Sequence, residues 1–288
     1  MSYDLLISAE QLQDLLASKT PVRIFDGTFD LADAAAGHRQ YLEAHLPGAV
    51  YAHLDTALSD KSGAGVSGGR HPLPTREKFA IWLSSVGLAN NMQAVVYDRN
   101  GANYCGRLWW MLKWAGHAHV AVLDGGLQAW QTAGGSINSG EEPAHFQTNF
   151  ALAPELSSLV ATKTVADNLG RPIQTLIDAR GGPRFRGEVE PLDPIAGHIP
   201  GALNRPFSQN IGADGKFKSA NALKAEFETL LAGRDPASVV HHCGSGVSAV
   251  PNILAMQIAG LGDASTLGLY AGSWSDWCSD TRRPMAQG

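Results

Sequence analysis

The sequence predicts an α/β protein made twice over: two tandem domains, each a mainly parallel sheet flanked by helices. Three observations lead there. Apolar, β-branched runs alternate with amphipathic helical stretches, the pattern of successive βαβ units. Short motifs recur in the same order in both halves: FDG at Phe25 returns as IDAR at Ile177, HLPGA at His45 as HIPGA at His198, and DGGLQAW at Asp124 as AGSWSDW at Ala271. The length, 288 residues, suits two domains of ordinary size. Residues 1–138 form the first domain on this reading, 139–157 a linker and 158–288 the second domain. The linker follows from a stretch with little periodicity that contains Gly140, Glu141, Glu142 and Pro143.

The elements follow in chain order. Ser8 and Gln11 have capping-box spacing, and Leu12, Leu15 and Leu16 continue a helix from there. VRIFDGT, from Val22, reads as a strand running into a turn, and Pro47-Gly48 sets the turn in HLPGA. After a glycine-rich loop from Ser62 to Arg70, Phe79, Trp82, Leu83 and Val86 fall on one helical stripe. AVVYD from Ala94 is a strand, GRLWWMLKWAG from Gly106 a helix, and HVAVLDGG from His119 a strand leading into the helical Leu127–Trp130. Trp109, Trp110 and Trp114 form an aromatic face that reads as interdomain core rather than a ligand box. In the second half Leu223, Phe227, Leu230 and Leu231 give the matching amphipathic helix, ahead of a strand at Val239.

Composition narrows the function. A formal charge of −5 and a pI near 6.0 leave no electrostatic footprint for nucleic acid or an anionic membrane. No apolar run is long enough to span a bilayer, and the start MSYDLLISAE lacks the basic and apolar regions of a signal peptide. A cytoplasmic protein with small soluble partners is expected. The 3 cysteines, Cys105, Cys243 and Cys278, have no C-x-x-C spacing, so neither a disulfide framework nor a zinc site is suggested, and no metal or organic cofactor is implied.

Chemistry concentrates in VVHHCGSGVSAVPNILAMQ, from Val239 to Gln257. A buried strand is followed by a glycine-rich loop opened by Cys243, then by a helix with Pro251 in its first turn. Gly244 and Gly246 let successive backbone N–H groups point inward, and the helix N-terminus adds positive potential, so the loop suits an anion. A thiolate is such an anion and is the nucleophilic form of cysteine. Cys243 is therefore the candidate nucleophile. Cysteine phosphatases use a similar cradle but close it with an arginine, where this chain has Ala249, so phosphatase chemistry is disfavoured. Of His241 and His242, alternation directs one under the sheet and the other toward the loop, where either can tune the thiolate.

CGSGVS, from Cys243 to Ser248, resembles the active-site loop of the 3-mercaptopyruvate sulfurtransferases of the rhodanese superfamily, which usually reads CGSGV followed by threonine. Thiosulfate-using rhodaneses have basic residues directly after the cysteine, where this chain has Gly244 and Ser245. The resemblance implies a tandem rhodanese pair with one silent domain: opposite Cys243 the first half offers Asp98 or Arg99, depending on a one-residue alignment choice. It also implies a relay of Ser245 with His71, in GGRHPLP, and Asp55, in YAHLD. Gly244, Gly246, Val247 and Ser248 are the substrate-binding loop, and Arg184, in RFRG, is the substrate-carboxylate residue. The chain departs from the family after its acidic-proline run: EVEPLDP puts Leu192 or Asp193 where a second arginine is usual, leaving Arg186 or Arg205 as a substitute, or a weaker grip on substrate. The activity expected is sulfur transfer from 3-mercaptopyruvate through a Cys243 persulfide to a thiol or cyanide acceptor, a thioredoxin-like protein among the candidates, with pyruvate released. Thiosulfate as the donor and a non-catalytic binding module are the alternatives.

Overall fold

The protein is described by a computed structural model covering residues 2–288. It divides into two compact units. The first contains β1 (Leu6–Ile7), α1 (Ala9–Ala17), β2 (Val22–Asp26), α2 (Ala36–Glu43), β3 (Val50–Tyr51), α3 (Arg76–Ser85), β4 (Gln93–Tyr97), α4 (Cys105–Trp114), β5 (Val120–Leu123) and α5 (Gly126–Thr132). The second contains β6 (Ser158–Leu159), α6 (Thr162–Asp167), β7 (Thr175–Asp178), α7 (Gly182–Phe185), β8 (Leu203–Asn204), α8 (Ala220–Leu231), β9 (Val239–His242), α9 (Val250–Ile258), β10 (Gly268–Leu269) and α10 (Ser273–Trp277).

Each unit has a five-stranded sheet with every recorded pairing parallel, ordered β1-β5-β4-β2-β3 in the first and β6-β10-β9-β7-β8 in the second. The two orders match strand for strand, which is the duplication read from the motifs. β4 and β9 are therefore counterparts at the centre of their sheets. All residues of both are buried, as expected for parallel strands covered on both faces. The correspondence also resolves the one-residue choice: Asp98 directly follows β4, just as Cys243 directly follows β9.

Local signals explain the elements. Ser8 caps α1 in a complete capping box with Gln11, and Thr75 accepts the Lys78 N–H to start α3. Every residue of α4 is buried, Arg107 included, whose guanidinium donates to the Leu58 carbonyl at 3.2 Å. Trp110 stacks on Trp114 at 5.8 Å, and the Trp109 indole donates to the Asp4 carbonyl. Between α5 and β6 the chain has no helix or strand, yet it lies against the first unit: the Thr148 N–H donates to Ser84 O at 3.0 Å and Phe150 is buried.

The units interleave along the sequence. Lys61–Leu73, ahead of α3, packs with the second unit, while Gly212–Phe217, ahead of α8, packs with the first. Each exchange is tied by named bonds. The Arg70 N–H donates to Ser275 Oγ at 3.1 Å, and the Phe217 N–H donates to Asp124 Oδ1 at 2.9 Å. The first exchange brings Arg70 and His71 to the sheet that carries Cys243.

Candidate active site

Cys243 sits at the carboxyl end of β9, and the loop to Ala249 leads into α9. No side chain caps α9; the Val250 and Asn252 N–H groups bond the Val247 and Ala249 carbonyls at 3.2 Å, Pro251 has no N–H, and the positive dipole end of the helix faces the loop. The loop is held from behind by the turn into α10. Ser273 Oγ accepts the Cys243 N–H at 3.0 Å, the Trp274 N–H donates to Cys243 O at 3.0 Å, and the Ser275 N–H donates to Gly244 O at 2.9 Å. Ser273 itself has φ 54°, a left-handed conformation uncommon for serine and sustained by these bonds and its full burial. Gly246, at φ 74°, passes so close to Ala271 that a Cβ there would strike its carbonyl. Cys243 is reduced and 2% exposed.

Ser245, two positions further, is buried, and its Oγ lies 2.7 Å from His71 Nδ1, a hydrogen bond between buried groups. Val247 is buried, with its carbonyl accepting the Val250 N–H at 3.2 Å, and Ser248 is half-buried. Asp55 belongs to the first unit, where its N–H donates to His53 Nδ1 at 3.1 Å.

Arg184, in α7, is gripped by Glu190 through Nη2 at 2.6 Å and Nε at 3.2 Å, and its Nη2 also reaches Asp193 Oδ2 at 3.3 Å. Arg70 Nη1 donates to the other oxygen of the same Asp193 carboxylate. Both guanidiniums lie over Gly244: the point a Cβ would occupy there is 2.8 Å from Arg70 Nη2 and 3.6 Å from Arg184 Nη1 and Nη2. The loop thus carries no basic side chain, yet two cations cover its second residue. A Cβ at Gly244 would meet the tip of the flexible Arg70 side chain, which would have to shift.

Behind this pair runs an alternating ladder of charge. Arg180 bridges Asp178 at 2.7 Å and Glu190 at 3.3 Å and lies 5.0 Å over the Trp274 ring. Burial works against its charge, but Asp178, with Glu190 beside it, offsets that and the pKa is raised. Burial likewise pushes Glu190 upward, and Arg184 together with the Leu192 and Asp193 amides brings it below the usual carboxylate range. The ladder holds Arg184 and Asp193 in a fixed orientation.

Arg186 pairs with Glu188 at 2.6 Å on the surface. Arg205 is buried over Phe227 at 4.2 Å and bonds Asn210 and Glu226. Neither expected substitute is brought to Gly244; Arg70 is. Sequence reading missed Arg70, although it adjoins the predicted His71, because its backbone lies far from Cys243 along the chain. Burial lowers both His241, to about 3, and His242, so both imidazoles are neutral at neutral pH; His242 Nδ1 is 3.9 Å from Asp178 Oδ2. Among the described residues no group of three or more His, Cys, Asp or Glu side chains is arranged to hold a metal ion, and no helix is long and apolar enough to cross a membrane.

Two matching parallel α/β units, one with a cysteine-opened loop at the end of its central strand and one with an aspartate there, define a tandem α/β fold. The chain belongs to the rhodanese-like domain family, which matches residues 8–133 and 161–280. It is 44% identical over the full length of both chains to a probable 3-mercaptopyruvate sulfurtransferase from Pseudomonas aeruginosa. It is 41% identical, over 98% of this chain and 97% of the other, to a Mycobacterium tuberculosis protein provisionally named a thiosulfate sulfurtransferase. The crystal structure of the Escherichia coli 3-mercaptopyruvate sulfotransferase SseA superposes with a TM-score of 0.79 at 29% identity, covering 95% of this chain and 100% of that one. The likeness first read in CGSGVS therefore extends across both domains, and the relatives' names support sulfur transfer as the activity.

Proposed function

We propose that the protein moves a sulfane sulfur from 3-mercaptopyruvate to a thiol or cyanide acceptor through a persulfide on Cys243. The observation that carries this reading is the 2.7 Å contact of Ser245 Oγ with His71 Nδ1, on the loop that Cys243 opens. The Cys243 thiolate attacks the substrate sulfur, an S–S bond forms, and the C–S electron pair departs as the pyruvate enolate. The proton of the substrate thiol ends on that carbon, and Ser245 backed by His71 is the group suited to carry it. Cys243 is left as a persulfide anion and pyruvate leaves. The amides of Gly244, Gly246, Val247 and Ser248 and the α9 dipole suit that anion. A thiolate or cyanide then takes the outer sulfur and restores the Cys243 thiolate, and a thioredoxin-like dithiol in the cytoplasm fits this step. Asp55 keeps in this reading the third relay role that the family resemblance assigns it.

One observation favours thiosulfate as a second donor. Arg70 and Arg184 over Gly244 supply the positive charge that the loop's own side chains lack, and the Mycobacterium tuberculosis relative carries a thiosulfate name. Steady-state transfer with the two donors side by side, with Cys243→Ser as control, decides. The reading expects 3-mercaptopyruvate to have the higher kcat/KM, and the mutant to lose roughly three orders of magnitude or more, as removal of a covalent nucleophile does. Higher kcat/KM with thiosulfate would reverse the order of donors, and turnover surviving in Cys243→Ser would end the persulfide account.

A further inference from the structure

Arg205 is not brought to Gly244, but its surroundings are those of a binding residue. Its side chain is nearly fully buried, and two of its nitrogens are taken: Nε donates to Asn210 Oδ1 at 3.0 Å and Nη2 to Glu226 Oε2 at 2.7 Å, while the guanidinium lies 4.2 Å over the Phe227 ring. The remaining nitrogen, Nη1, has no acceptor among the described residues and is not sealed from solvent. It has an outlet: Arg205 lines an open pocket of about 560 Å³ between β8 and α8, together with Asn204, Gln209, Lys218, Glu226 and Thr229.

The charge in this pocket is unbalanced. Glu226 gives one carboxylate oxygen to Arg205 and the other to Lys218 Nζ, at 2.8 Å, so two cations share a single acid. The side-chain amide of Gln209, an exposed residue, has no partner among the described residues. The floor is held by a closed ring of bonds among three buried residues: Arg205 Nε to Asn210, Asn210 Nδ2 to Asn252 Oδ1 at 2.6 Å, and Asn252 Nδ2 back to Arg205 O at 2.9 Å. A buried guanidinium fixed on one edge and open on the other, with an ammonium on the same carboxylate, is preorganised for a small oxyanion.

We infer that this pocket is a second anion-binding site of the second unit, separate from the Cys243 loop, and that it takes a small oxyanion, a phosphate or a carboxylate, on Arg205 Nη1 and Lys218 Nζ. Arg205 supplies direction and Lys218 a point charge. The inference rests on the packing around Arg205 and holds whichever donor Cys243 uses.

The test is isothermal titration of inorganic phosphate, and separately of pyruvate, into the whole chain at an ionic strength held constant with chloride. Wild type is compared with Arg205→Gln, Lys218→Gln, Thr229→Glu and Arg184→Gln. Affinity falls roughly tenfold or more in Arg205→Gln, the scale of a charge-assisted hydrogen bond, and severalfold in Lys218→Gln. It is lost in Thr229→Glu, which sets a second carboxylate on the wall at an exposed position of α8, and is unchanged in Arg184→Gln. Binding of either anion with this pattern supports the inference, and the tighter of the two tells a phosphate site from a carboxylate site. Two binding events, one removed by Arg205→Gln and the other by Arg184→Gln, support it as well. No saturable binding of either anion to wild type overturns it, as does an affinity kept in Arg205→Gln and lost in Arg184→Gln, which places the anion over Gly244. If far-UV circular dichroism shows Arg205→Gln unfolded, Thr229→Glu decides: affinity lost supports the inference, affinity kept rejects it.

Discussion

Two loops in this chain occupy the same place in the fold and do opposite things. After β4 comes Asp98, and its carboxylate accepts the N–H groups of Asn100 at 2.8 Å, Ala102 at 3.1 Å, Tyr104 at 2.8 Å and Cys105 at 3.0 Å. After β9 comes Cys243, and from there to Ala249 the loop has no acidic side chain. The first cradle is filled by an anion belonging to its own chain; the second can take one only from its sulfur or from a substrate. The turn after β4 thus receives a carboxylate of its own chain, and the matching turn after β9 has a cysteine in that place. Cys105, in the first unit, enters α4 fully buried, with burial and then Asp98 raising its thiol well above the ordinary value, which disfavours a thiolate there.

The contrast can be broken by matched substitutions. Asp98→Ala strands buried amides and should cost about 2–4 kcal/mol of unfolding free energy, whereas Cys243→Ala should change stability by about 1 kcal/mol while eliminating sulfur transfer. Urea titration with far-UV circular dichroism measures both, and equal losses would contradict a structural first loop and a reactive second one. Next in size, Ser245→Ala should lower kcat for 3-mercaptopyruvate roughly a hundredfold, the lower range for a lost proton-transfer group. Thiosulfate, whose leaving sulfite needs no proton on carbon, should be affected less, and an equal fall with both donors would make Ser245 a loop support only.

The smallest effect concerns the strand beneath the reactive loop. Burial lowers His241 to about 3 from its ordinary 6.5. The folded imidazole stays neutral while the unfolded one gains a proton below about 6.5, so its contribution to stability is present above that pH and declines as pH falls toward 3. Between pH 7.5 and 5 this term amounts to a loss on the order of 2 kcal/mol. His241→Leu should remove that part of the pH slope, and denaturant midpoints at the two pH values would show an undiminished slope if the assignment were wrong.

Much of this was legible in the sequence, for reasons that differ by residue. The duplication was visible because turn motifs such as HLPGA and HIPGA depend on local geometry, and local geometry leaves local marks. Cys243 was legible because a strand, two glycines and a helix start lie within one short stretch. The pairing of Asp98 with Cys243 was not, since the end of β4 shifts the alignment by one residue and only strand order resolves it. The placement of Arg70 over Gly244 left no mark, because it comes from Lys61–Leu73 packing with the second unit, an exchange that no local pattern records. Asp193 read as a loss and became informative only once its carboxylate was seen to hold Arg70 and Arg184 together.

The most direct measurement is intact-protein and peptide mass spectrometry after a single addition of 3-mercaptopyruvate without acceptor, with pyruvate quantified in the same sample. The account predicts one added sulfur per chain, located on Cys243, with one pyruvate released for each, and its removal by cyanide. Sulfur on Cys105 or Cys278, or pyruvate released without any sulfur retained on Cys243, would contradict it.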